Sequence, residues 1–112
     1  MRYKEIDIKS NTKEELNTEI MLEIALARSD KIELLKLNLA CINEDTFVEA
    51  NKLNGSLVKL LKKMKEDSRI QFFANSRSFE LNTTESEFLI NKYPEIFLNK
   101  EINNGGVYYI KL

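Results

Sequence analysis

The side chains able to do chemistry in this 112-residue chain are carboxylates, lysines, arginines and one cysteine; it has no histidine. That absence removes the commonest general base near neutral pH and the commonest metal ligand. Ser-His and Cys-His nucleophile pairs are excluded, as is every zinc site that uses imidazole. Cys41 has no intrachain disulfide partner, which fits a reducing compartment and predicts a cytoplasmic protein. With only Lys36 near it in sequence, the thiol lacks an activating cation and reads as structural. Asp7 lies in a strand pattern, and Glu44-Asp45 follows the second strand, where α/β folds gather their sites. A magnesium ion there needs further oxygen ligands or phosphates. The acid pair therefore reads as a solvated loop, and neither a metal nor a cofactor is expected.

Charge is the property most unevenly spread. The chain as a whole carries −1, but residues 1–51 carry −4, residues 52–77 carry +5 and residues 78–112 carry −2. A local excess of that size is what a phosphate-binding surface requires. The candidate residues are Lys59, Lys62, Lys63, Lys65, Arg69 and Arg77. Lys59, Lys62 and Lys63 fall at i, i+3, i+4 on one helical stripe, with Lys65 further round. The competing reading is a solvated helix face, the usual fate of a lysine cluster. Phe72, Phe73 and Phe79 lie near the two arginines and offer rings for bases to stack on, although strand spacing favours core.

These residues need a scaffold. Arg2 to Lys9 alternates as a strand, with Ile6 and Ile8 on one face. Thr12 with Glu15 forms a capping-box pattern, and Leu16, Ile20, Ile24 and Ala27 recur at helical spacing. Ile32 to Ile42 reads as the second strand. Leu35, Leu37, Leu39 and Cys41 share one face, while Lys36 and Asn38 interrupt the other. That polar face predicts helices on one side of the sheet only. Phe47 to Asn54 fits either helix or ordered loop, and Gly55-Ser56 opens a helix through Leu57, Leu60, Leu61 and Met64. Ile70 to Ala74 is a third strand, with a short extension at Phe79 to Leu81. Thr84 with Glu87 opens a third helix that Pro94 ends, and Val107 to Leu112 is a last strand. The order βαβαβαβ predicts a single α/β domain over residues 1–112. Its expected form is a two-layer sandwich, a four-stranded mixed sheet with helices on one face. No secretory signal is expected behind Met1, and no stretch approaches the ~18 apolar residues of a membrane span.

Several segments resemble the Smr (small MutS-related) domain, especially its stand-alone bacterial versions. Ile6-Asp7-Ile8-Lys9-Ser10 is similar to the family's opening strand, and Lys31 to Leu37 to the strand before its signature loop. Gly55-Ser56-Leu57 with Leu60 and Leu61 resembles the following helix. Asn91 to Glu95 and Asn103 to Val107 resemble the closing helix and strand. The resemblance implies the two-layer scaffold that Smr domains share with the C-terminal domain of translation initiation factor 3. The family's His-Gly-x-Gly loop is replaced by Leu39-Ala40-Cys41-Ile42, and Lys9-Ser10 stands where an earlier His-Gly would be. Some Smr domains nick DNA or cleave RNA; without those residues that activity does not carry over.

The expectation is therefore a non-catalytic Smr-like domain that binds RNA or DNA weakly and non-specifically through its basic helix. The alternative is a protein-interaction or oligomerisation module using an open sheet face or strand edge. An enzyme is the least favoured class.

Overall fold

A computed structural model describes residues 3–9, 12–39, 47–75, 83–94 and 106–112. Its elements alternate as β1 (Tyr3–Ile8), α1 (Lys13–Ser29), β2 (Leu34–Leu39), α2 (Phe47–Glu66), β3 (Phe72–Asn75), α3 (Thr84–Lys92) and β4 (Val107–Lys111). The four strands form one mixed sheet in the order β1-β2-β4-β3. β1 and β2 run parallel, with Ile6 beside Leu37. β4 runs antiparallel between β2 and β3, with Tyr108 beside both Leu37 and Asn75.

Side-chain parity explains how the helices are distributed. Ile8, Leu35, Leu37, Leu39, Tyr108 and Ile110 point to one face. There they meet Leu16, Ile20, Ile24 and Ala27 of α1 and Leu57, Leu61 and Met64 of α2, all buried. Burying one such aliphatic side chain is worth about 1.5–3 kcal/mol. The alternation that places Leu35, Leu37 and Leu39 inward and Lys36 and Asn38 outward is as the sequence implied.

The single-face expectation is corrected by α3. Its Leu89 and the following Tyr93 pack with Leu34, Ala74, Val107 and Tyr109, which lie on the opposite face. Phe72 of β3 meets Phe88 of α3 edge-on, with ring centres 5.4 Å apart. The architecture is thus α1 and α2 on one side of the sheet and α3 on the other. The reason lies in β4, whose five residues are all buried. A strand apolar on both faces needs cover on both. The β1 and β2 patterns are polar on their outer side, and that half of the far face is the part left open. There Lys36 pairs with Glu5 at 2.9 Å, and Asn38 donates to Asp7 at 3.0 Å.

Two local readings also shift. Phe47 to Asn54 is helical, so Gly55 lies inside α2 rather than at its start. The cap of α3 is Thr83, not Thr84: its Oγ1 accepts from the Ser86 amide at 3.2 Å, and the Ser86 hydroxyl donates to the Thr83 carbonyl at 2.9 Å. Thr12 caps α1 as expected, accepting from the Glu15 amide at 3.2 Å. Tyr93 closes α3, where Pro94 disfavours a further helical residue. Both α1 and α2 end in Schellman turns built on non-glycine residues. Lys31 (φ 58°) and Ser68 (φ 60°) take the left-handed conformation, and the amides of Ile32 and Arg69 donate to the carbonyls of Ala27 and Met64.

Candidate functional site

Lys13 and Asn17 on the first turns of α1, and Gly55, Ser56, Lys59, Leu60 and Lys63 on the middle of α2, line an open cleft of about 580 Å³. The register of α2 explains this. Leu57, Leu61 and Met64 face the sheet, so Lys59 and Lys63, one turn apart, fall on the flank that turns toward α1. At the junction the Ser56 hydroxyl donates to Asn17 Oδ1 at 3.5 Å. That bond leaves both amide hydrogens of Asn17 available to a ligand. Three exposed ammonium groups stand around it, and none of the three makes an ion pair among the described residues. The lining is rich in donors and carries positive charge, which suits a group with several acceptor oxygens.

The sequence-based candidates divide accordingly. Lys59 and Lys63 line the cleft. Lys62 and Lys65 are exposed but do not, because the helix turns them to its other flank. Lys63 and Lys65 sit in the last turn of α2, where they also complement the negative end of the helix dipole. Arg69 is exposed in the turn after α2, outside the cleft lining. Arg77 lies outside the described residues, as do Cys41, Glu44, Asp45 and Phe79. Phe72 and Phe73 are half-buried against opposite cores, so neither offers a free ring for stacking.

Lys13, Asn17 and Gly55 were missed as site residues. Two carried a signal. Lys13 is the first residue of α1, where the positive end of the helix dipole disfavours a cation by about 0.3–1 kcal/mol. Gly55 interrupts a helix at a cost of about 1 kcal/mol relative to alanine. Each breaks a local preference, and both fall at the same cleft.

The far end of the sheet holds a second group of polar side chains. Lys111 is buried beneath α3, and its Nζ donates to the Leu112 main-chain oxygen at 3.1 Å. Burial and the neighbouring Lys92 ammonium push its pKa down, partly opposed by Glu33. The Tyr93 hydroxyl donates to Glu33 at 3.3 Å, and burial together with that carboxylate pushes its pKa up. Lys92 rests over the rings of Phe88 and Tyr93, 5.5 and 5.6 Å from their centres. Of these contacts the Tyr93–Glu33 bond ties the end of α3 to the segment entering β2.

Asp7 is held by Asn38, and no group of three His, Cys, Asp or Glu side chains able to hold a metal ion occurs among the described residues. No helix there is long and apolar enough to cross a membrane. No family model, curated protein or solved structure matches this chain.

Proposed function

We propose that this chain is a non-catalytic nucleic-acid-binding domain of a bacterial cytoplasm. On this reading it keeps an Smr-like strand and helix order without the family's nuclease chemistry. The observation that carries the reading is the convergence of Lys13, Lys59 and Lys63 from two helices on one cleft. Three lysines without acidic partners attract a phosphodiester backbone, and the strand's released counterions supply the driving force. The near-neutral total charge makes the attraction local, so binding is weak and non-specific.

Fluorescence anisotropy with single-stranded RNA and DNA oligonucleotides tests this. Binding is expected at roughly 20 mM salt and should be largely lost by ~0.2 M. Log affinity should fall against log salt with a slope between about 0.7, for one phosphate of a single strand held in the cleft, and about 2, for one phosphate per lysine. Lys59→Glu with Lys63→Glu removes binding without unfolding, since both side chains are off the buried stripe. Lys62→Glu with Lys65→Glu is the control and has the smaller effect. Equal losses in the two double variants, or no binding at the lowest salt, overturn the proposal.

A second reading rests on α1. Leu22 and Leu26, one turn apart, are 56% and 46% exposed, and Met21 is 41% exposed. That supports a protein-interaction or self-association role. Sedimentation of the wild type beside Leu22→Lys distinguishes it: a monomer in both leaves no role for the stripe in self-association.

A further inference from the structure

Gly55 has no structural reason to be glycine that the described residues reveal. It sits inside α2 with φ outside the left-handed region, and a Cβ built on it meets nothing within 4 Å. Alanine would fit and would make the better helix. Gly55 lines the cleft with Lys13, Lys59 and Lys63, and its missing side chain leaves the exposed main chain bare there. Glycine in such a place lets a ligand approach the main chain closely.

We infer that Gly55 is a binding residue: the cleft seats one phosphate group against the α2 main chain at Gly55, held by Lys13, Lys59 and Lys63. The Asn17 amide, whose oxygen faces the Ser56 hydroxyl at 3.5 Å, donates to the same group from the α1 side. A phosphate is the chemistry that matches three ammonium groups and an amide with little free acceptor capacity opposite them. The inference rests on the nucleic-acid reading only for the source of that phosphate, which is a strand backbone or a free phosphate.

The test is Gly55→Ala in the full chain, with Gly55→Leu as a larger block. The probes are a labelled single-stranded oligonucleotide and inorganic phosphate. Gly55→Ala should melt about 4 °C higher than the wild type, because alanine is the better helix former. It should bind the oligonucleotide about tenfold more weakly, as expected for one displaced contact. The salt slope should fall by about 0.7, the share of one phosphate on a single strand, and Gly55→Leu should bind less still. Wild-type binding that Gly55→Ala leaves unchanged overturns the inference and leaves the nucleic-acid reading standing. A fall in melting temperature also overturns it, because the glycine then serves packing. If inorganic phosphate binds the wild type, and Gly55→Ala weakens it, while the oligonucleotide does not bind, the seat is upheld and the strand reading fails. If neither probe binds at low salt, both fail.

Discussion

Tyr3→Phe probes the half-covered far face of the sheet. The Tyr3 ring, on edge strand β1 beside Leu34, packs against the far-face cluster that also holds Tyr109. Its hydroxyl oxygen is buried with no hydrogen-bond partner among the described residues. An unpaired buried hydroxyl costs about 1–3 kcal/mol, and the half-exposed ring places Tyr3 at the low end, near 1 kcal/mol. Removing one oxygen leaves a void of roughly 10–15 Å³, a return cost of about 0.3 kcal/mol. Phenylalanine should therefore stabilise the protein by ~0.5–1 kcal/mol at neutral pH, or a few degrees in melting temperature. Alkaline pH sharpens the comparison. Burial and the neighbouring Glu5 carboxylate push the Tyr3 pKa from 10.0 up to about 12. Above pH 10 the folded state thus holds a proton that the unfolded state has lost. The tyrosine's favourable contribution is complete below pH 10 and disappears as pH rises through 12. Lys111 runs the other way: its lowered pKa makes stability rise with pH up to 10.5, but equally in both proteins. The advantage of Tyr3→Phe should then widen between about pH 9 and about pH 11.5 in urea melts. A variant less stable than wild type by more than ~0.5 kcal/mol at neutral pH, or a difference that stays flat with pH, refutes the reasoning.

Leu37→Ala removes a fully buried side chain under α1 and α2 and should cost ~2–5 kcal/mol in urea melts; under ~1 kcal/mol the residue is not core. Leu89→Ala, fully buried on the other face, should cost a similar ~2–5 kcal/mol, and should raise amide exchange along β3 if α3 is what covers it. A loss confined to α3 amides would mean the helix is not anchored as described. Ser68→Gly relieves a left-handed non-glycine residue at the end of α2 and should stabilise by up to ~1 kcal/mol; destabilisation in thermal melts would count against the Schellman geometry.

Much of the framework was legible because period-2 and period-3.6 patterns are local. The leucines of β2 and the stripe of α1 each announce their own buried side, and Thr12 announces the start of α1. What one strand could not announce was the cover of the whole sheet. Lys36 and Asn38 look like evidence for a bare outer face, and they do lie on one, over β1 and β2. The other half of that face is set by Val107 and Tyr109 of β4, which need a helix above them. The element that decides the layering is therefore β4, whose residues from Val107 to Ile110 are apolar on both faces.

The site was half legible for a related reason. Lysine counts find the α2 helix, but counting along one helix cannot tell Lys59 and Lys63 from Lys62 and Lys65. The neighbouring helix makes that distinction, and its contribution, Lys13, comes from a segment of net negative charge. Local energetics give a better pointer than charge. Lys62, Lys63 and Lys65 cost nothing where they stand, near the negative end of α2. Lys13 stands at the positive end of α1, and Gly55 weakens the middle of α2. A folded chain retains few such losses without a compensating role, since each runs against the consistency that makes a sequence specify its fold. Two of them meeting in one cleft, from helices that lie far apart in the chain, weigh more than the four lysines that first drew attention to α2. Their positions make the cleft, rather than the lysine stripe as a whole, the surface on which binding should be tested.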